Sequence, residues 1–331
     1  MKAHALTAPR PIAEGPLRLL DRPVPEPRDR EVLVRVRACG VCHTDLHIVE
    51  GEIPLPRLPL VPGHQIVGVV ERGGPGATRY ARGTRVGVAW LHWTCGRCSF
   101  CRRGQENLCD NARFTGYHAD GGYAEYLVAP EDFVYALPAS YSDEQAAPLL
   151  CAGIIGYRAL RVSGLEPGER LALFGFGASA HIALQIARHR RSAVDVFTRS
   201  EEHRRLALRL GAAWAGQAGE APPALADRAI LFAPAGRLIP HALRALRKGG
   251  TLAIAVIHLD TIPEMDYGLL FEERVVRSVT ASTRRDGEEL LAAAVEAEVR
   301  PEVETFPMAD VNRALALLKA GKLKGAGVLL A

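Results

Sequence analysis

Lysine and asparagine are scarce in this 331-residue chain: lysine occurs only at Lys2, Lys248, Lys319, Lys322 and Lys324, asparagine only at Asn107, Asn111 and Asn312. Arginine therefore supplies nearly all of the 41 basic residues, which fits either a thermophile's economy in heat-labile side chains or plain genome composition. No run of roughly 18 uncharged apolar residues exists, which excludes a membrane-spanning helix. The first dozen residues carry no apolar core of signal-peptide length, so a cytoplasmic chain with no membrane partner is expected. Basic residues are never gathered into a block and the net charge is only +4, so the electrostatic footprint of nucleic acid is missing as well. Internal repeats and low-complexity tracts are also absent.

What the chain does have is core and cysteine. At 48% hydrophobic and 24% charged residues it has the composition of a globular protein, and its length suits about two domains. Seven cysteines stand at Cys39, Cys42, Cys95, Cys98, Cys101, Cys109 and Cys151. An odd, clustered set in a chain read as cytoplasmic points to metal binding or catalysis rather than disulfides. Cys95, Cys98, Cys101 and Cys109 offer four thiols on one short stretch, the donor set of a closed tetrahedral zinc site. An iron-sulfur cluster uses the same donors, but the bacterial ferredoxin run places its fourth cysteine after three residues with a proline behind it, and here seven intervene and Asp110 follows. A fully coordinated zinc has no open position, so its role would be structural.

A second constellation is dispersed: Cys39-Gly-Val-Cys42-His43-Thr44-Asp45-Leu-His47, then Gly63-His64-Gln65, then Cys151. Each fragment alone reads as ordinary packing, since a lone buried cysteine is usually a small hydrophobe. Together and in this order, with CGRCSFCRRGQENLC at 95–109, TGYHADGGYAEY at 115–126, CAGIIGYRAL at 151–160 and GFGASAH at 175–181, they resemble the zinc-dependent medium-chain alcohol dehydrogenases over essentially the whole chain.

The resemblance implies that Cys42, His64 and Cys151 hold a catalytic zinc. Two cysteines and one histidine are the known ligand set of alcohol dehydrogenase, matched here rather than deduced from spacing. It implies that Thr44 and His47 carry the alcohol's proton away through the cofactor ribose, that Asp45 orients His64, and that Trp90 lines the substrate pocket or else simply packs in the core. Cys39 and His43 receive no role. Gln65 stands where the family usually has glutamate, which removes a negative charge from behind the zinc, and Ile155 stands where many members have threonine against the nicotinamide ring.

Beyond Cys151, short apolar runs alternate with longer amphipathic ones: Leu171–Phe174, Ala178–Arg190, Val194–Phe197, Glu201–Leu210, Ala229–Phe232, Ile239–Leu246 and Leu252–Ile257. This strand-helix alternation predicts an α/β fold with a doubly wound parallel sheet of Rossmann type. Gly175, Gly177 and Ala180 form a G-x-G-x-x-A turn between its first strand and helix, fitted to a dinucleotide pyrophosphate. Counting about twenty residues on from the glycines selects Asp195 as the acidic ribose ligand, but that residue falls mid-strand. The strand's end aligns Thr198 with that position, followed by Arg199, with Arg204 and Arg205 one turn further on. A hydroxyl and a guanidinium suit the 2′-phosphate of NADP. NAD remains the alternative, with Arg199 stacked on adenine.

The expected architecture is a mainly β, GroES-like catalytic domain over 1–150, the dinucleotide domain over 151–280, and a return of 281–331 to the catalytic domain, with the active site in the cleft between the two. Arg284 and Lys324 stand as late candidates for cofactor contact or as plain surface cations. The expected function is reversible oxidation of primary or secondary alcohols to aldehydes or ketones, with two zinc ions per chain, as a homodimer or homotetramer. Ile257-His258-Leu259 and Ala281-Ser282-Thr283-Arg284 resemble a bacterial branch near the cinnamyl alcohol dehydrogenases, which suggests bulky or aromatic alcohols. Two alternatives stand beside this: a non-catalytic sensor that binds zinc and dinucleotide, and a zinc-independent enone or quinone reductase.

Overall fold

The structure is a computed structural model and describes residues 1–331. The chain divides into two compact units: Met1–Cys151 with Ala281–Leu291 and Pro301–Ala331, and Ala152–Thr280 with Ala292–Arg300. None of its helices is long and apolar enough to cross a membrane.

The first unit is built on a seven-stranded sheet whose longest strand, Glu31–Gly40, pairs antiparallel with Gln65–Gly73, Tyr126–Pro130 and Ala326–Leu330. Val32, Val34 and Val36 point one way along that strand and are buried, while Arg35 and Arg37 point the other way and are exposed, the period of two that a half-covered strand requires. The buried face joins Leu6, Leu60, Ile66, Val88 and Leu127 in one apolar cluster. This is the mainly β part of the molecule.

The second unit is an all-parallel six-stranded sheet in the spatial order Trp214–Gly216, Ala193–Phe197, Arg170–Phe174, Ala226–Leu231, Leu246–Ile254, Val275–Ser278. Numbered along the chain this is 3-2-1-4-5-6, the Rossmann order, with the strand sequence reversing beside Arg170–Phe174. Phe174 stacks on Phe197 at 4.3 Å between ring centroids, filling the floor beneath the reversal. Two strands carry too little apolar pattern to be read from sequence. Trp214–Gly216 has three residues, and Val275–Ser278 is an edge strand exposed along its whole length.

Candidate active site

The dispersed constellation converges. Cys42 is the N-cap of the helix His43–Glu50, His64 immediately precedes the strand Gln65–Gly73, and Cys151 lies in a π-helical turn, Leu149–Gly153. Their ligand atoms lie within 4.8 Å of one another, with Cys151 Sγ 3.3 Å from His64 Nε2 and 3.9 Å from Cys42 Sγ.

One carboxylate organises this meeting. Asp45, completely buried, accepts hydrogen bonds from the Cys42 backbone N–H at 2.9 Å, from the Gly63 N–H at 3.2 Å and from His64 Nδ1 at 3.1 Å. The first caps the helix, the second holds the loop that delivers His64, and the third fixes the ring so that Nε2 faces the thiols. The loop itself is clamped from the other side by the TGYHADGGYAEY segment: Gly121, Gly122 and Tyr123 donate backbone hydrogen bonds to Val61, Gly63 and Pro62. Contact is so close that a Cβ on Gly121 would sit 2.0 Å from the Gly63 carbonyl oxygen. One on Gly63, whose φ is 93°, would meet the Tyr123 ring at 2.6 Å.

The three donor groups shift one another's protonation. Burial opposes charge on His64, yet the Asp45 carboxylate and the Cys42 sulfur outweigh it and push the imidazole up to about 10. The hydrogen bond from Cys151 lowers the Cys42 thiol well below its ordinary value, and the same bond together with burial raises Cys151. Two sulfurs and an imidazole nitrogen thus share protons within one buried cluster, and each can give a lone pair to a metal ion once its proton leaves. The donor chemistry and spacing fit zinc.

Thr44 is buried, and its Oγ1 accepts a long contact of 3.6 Å from Cys42 Sγ. His47 lies on the same helix, and its Nδ1 is hydrogen-bonded to the carboxylate of Glu52. Trp90 packs edge-on against His64 at 4.9 Å and stacks on Phe114, with Tyr117 alongside, an aromatic wall next to the ligands. Gln65 is buried against Gly40, its register partner across the sheet.

The four-cysteine cluster is local. Cys98 caps a single turn, Ser99–Arg102, and the sulfurs approach to 3.5 Å for Cys98 and Cys101 and to 3.6 Å for Cys95 and Cys109. Backbone N–H groups of Arg97 and Cys98 lower the Cys95 thiol to about 6, while burial and the neighbouring Cys98 raise Cys101 to about 12. The lobe's buried side chains include Glu106 and Asn107, so apolar packing contributes little to it. Glu106 instead reaches residue 284, where its Oε1 accepts from the Arg284 backbone N–H at 3.0 Å and from Nε at 3.4 Å. The Arg284 guanidinium also lies over the Phe133 ring. This contact commits Arg284 to the first unit's own packing.

In the second unit Gly175 adopts φ 90° at the end of the first strand. A Cβ there would meet the Ala233 backbone nitrogen at 2.8 Å, whereas one on Gly177 would meet nothing within 4 Å. The first glycine is needed for the turn and the second leaves the helix N-terminus open to a ligand. Ala180 is fully buried. Asp195 is occupied structurally: it is buried mid-strand and its carboxylate pairs with Arg170 at 2.7 Å. Thr198 follows the strand end with Arg199 exposed beside it. Arg204 turns back to the carbonyls of Thr198 and Arg199, and Arg205 pairs with Glu201.

Comparison with known proteins gives the same reading. Residues 28–139 match the alcohol dehydrogenase GroES-like domain. The chain is 49% identical over its full length to a probable alcohol dehydrogenase of Mycobacterium tuberculosis, covering 97% of that protein. The chain belongs to the zinc-dependent medium-chain alcohol dehydrogenases. Among solved structures this alcohol dehydrogenase is similar to a cinnamyl alcohol dehydrogenase of Sorghum bicolor, with a TM-score of 0.90, 31% identity and coverage of 99% and 97% of the two chains. It is also similar to a cobalt- and zinc-bound thermostable alcohol dehydrogenase of Pyrobaculum aerophilum, with a TM-score of 0.91, 26% identity and coverage of 100% and 99%. Its reaction is NAD(P)-dependent oxidation of small-molecule alcohols.

Sequence reasoning missed three contributors to this alcohol dehydrogenase's site region: Tyr123 beneath the His64 loop, Glu106 at the four-cysteine lobe and Glu52 beside His47. Tyr123 and Glu106 fall within stretches already singled out. Glu52 carries the only local signal, an acid just past the helix that holds His47.

Proposed function

We propose that Cys42, His64 and Cys151 hold a catalytic zinc, that Cys95, Cys98, Cys101 and Cys109 hold a second, structural zinc, and that Gly175, Gly177 and Ala180 seat the dinucleotide pyrophosphate. The observation that carries this is the meeting of three donors from positions 42, 64 and 151 around a buried Asp45. A zinc ion held there would supply Lewis acidity that eases loss of the alcohol's hydroxyl proton, and a nicotinamide dinucleotide seated at the glycine turn would supply the hydride acceptor. Asp45 keeps Nε2 of His64 turned toward the thiols. The Thr44 hydroxyl, beside Cys42 Sγ, takes the proton and hands it outward, and His47 passes it to water. Trp90 and Phe114 exclude water on one side and suit a flat or bulky alcohol. Gln65 adds no charge behind the ligands, so Asp45 alone supplies the negative countercharge there.

NADP is the preferred cofactor in this reading and NAD its alternative. Arg199 is the guanidinium at hand for a 2′-phosphate, because Arg204 and Arg205 are turned to other partners, and Asp195 is spent on Arg170. The same proposal includes the domain limits 1–150, 151–280 and 281–331, apart from Ala292–Arg300, which belongs with the second unit, and a cytoplasmic location and a homodimer or homotetramer. Exposed Ile257, Tyr267 and Phe271 and the open edge strand Val275–Ser278 support assembly. Light scattering on the purified protein reads that directly.

The test of the reaction pairs zinc content per chain with reduced-nicotinamide absorbance, using benzyl alcohol and either dinucleotide. Two zincs and reduction of NADP in preference to NAD are expected. Two zincs with no turnover on any alcohol or aldehyde would overturn the roles given to Thr44 and His47.

A further inference from the structure

The helix Ala178–His189, which starts at the glycine turn, carries a histidine that the dinucleotide fingerprint does not call for. His181 lies one turn into it, is almost wholly buried, and directs Nδ1 back at the Gly177 carbonyl oxygen, 3.2 Å away. A carbonyl can only accept, so Nδ1 carries the proton and donates it. Burial pushes the imidazole down to about 4; the carbonyls of Gly177 and Ala178 pull it back only in part, and the nearby His203 adds to the lowering. The ring is therefore neutral at neutral pH.

The Gly177 carbonyl already accepts the His181 backbone N–H at 3.1 Å, as the first bond of the helix requires. The imidazole adds a second donor to the same oxygen. A peptide unit is rigid and planar, so holding that carbonyl along the helix holds the Ala178 N–H, on the other side of the same unit, pointing out of the helix N-terminus. A hydrogen bond on the oxygen also polarises that N–H. Gly177 has no side chain with which to cap the helix, so the N–H groups of Ala178 and Ser179 are left to a ligand. The turn has little room to shift: a Cβ on Gly156, from the helix Ile154–Ser163, would sit 2.9 Å from the Ser179 carbonyl oxygen.

We propose that His181 is a positioning residue for the dinucleotide: by donating from Nδ1 to the Gly177 carbonyl it fixes and polarises the peptide unit whose N–H, at Ala178, meets the pyrophosphate. This rests on the reading of Gly175, Gly177 and Ala180 as the pyrophosphate seat.

Equilibrium binding to the full-length, zinc-loaded protein separates this role from that of a histidine that only fills space. The probes are ADP-ribose, which carries a pyrophosphate, and adenosine, which does not. His181→Leu is expected to weaken ADP-ribose roughly fivefold, the size of one neutral hydrogen bond, and to leave adenosine unchanged. His181→Asn, whose amide nitrogen falls where Nδ1 was, is expected to restore ADP-ribose binding to within about twofold. Unchanged ADP-ribose binding in His181→Leu, or an equal loss of both probes, would overturn the proposal. If His181→Leu does not fold, His181→Gln takes its place, since its amide nitrogen falls at the Nε2 position. A loss in His181→Gln that is absent in His181→Asn supports the role, and equal behaviour ends it. The reading beneath is tested apart with Gly177→Ala, whose new Cβ meets nothing of the protein within 4 Å and obstructs only a ligand. If Gly177→Ala binds ADP-ribose normally, the pyrophosphate reading falls; if it binds poorly and His181→Leu binds well, only the role of His181 falls.

Discussion

The two cysteine clusters are made of similar donors and built in opposite ways. The four-cysteine lobe draws every donor from one short loop with little apolar packing, whereas the Cys42–His64–Cys151 set draws its donors from a helix start, a strand start and a π-turn far apart in sequence. In the second set the donors are placed by a finished hydrophobic core, with Asp45 bonded to three separate groups around it. In the first, a bound zinc would do the work of a core. One site is shaped by the fold; the other, with zinc bound, would shape its part of the fold.

Substitutions should therefore separate activity from stability. Cys151→Ser is expected to lower alcohol oxidation by roughly a thousandfold or more and to remove one zinc per chain, with the unfolding midpoint almost unmoved. Asp45→Asn keeps every ligand but weakens the bond that orients His64, so a loss on the order of 10- to 100-fold is expected in activity or metal affinity, read by kinetics and a chelator titration. Cys98→Ser should do the reverse of Cys151→Ser: the midpoint falls by several degrees while chains that remain folded keep their turnover. Calorimetry with a parallel rate assay would expose a failure of the comparison if both variants lost the same property. Glu106→Gln, which weakens the tether to Arg284, is expected to cost about 1–2 kcal/mol, a shift of a few degrees for a protein of this size, with activity retained.

The smallest effect concerns pH. Metal uptake by the four-cysteine lobe requires deprotonated sulfur, and Cys101 is raised to about 12 while Cys95 is lowered to about 6. At neutral pH Cys101 must therefore release its proton on binding while Cys95 is already mostly thiolate. Affinity should rise with pH, and it should fall more steeply below about 6, where Cys95 protonates as well. A zinc titration of the stripped protein at several pH values, following proton release, would show it.

The legibility of these features follows their span in sequence. The four-cysteine lobe was readable from its spacing alone, because all its ligands lie in one loop. The Rossmann alternation was readable where strands are buried on both faces, as at Leu171–Phe174, and unreadable at Val275–Ser278, where an exposed edge removes the apolar signal. The strand after Ile239–Arg244 runs from Leu246 to Ile254 rather than from Leu252 to Ile257, because Arg247, Lys248 and Gly249 mask its start with a polar, exposed stretch. The dispersed triad needed the resemblance, since no local pattern joins residues 42, 64 and 151. Glu52 and Glu106 were missed for a related reason: a carboxylate reveals its purpose only when its partner is in view.

The strand Ala326–Leu330 pairs with Glu31–Gly40 near the opposite end of the chain, and Glu106 meets a partner 178 residues downstream. On a ribosome this reverses the usual order of completion. All six strands of the dinucleotide sheet have been synthesised once Ser278 is added, while the unit begun first still lacks Val303–Pro307 and Ala326–Leu330 and its clamp at Arg284. The sheet of the unit begun first is therefore the last to be completed, when Ala326–Leu330 pairs with Glu31–Gly40.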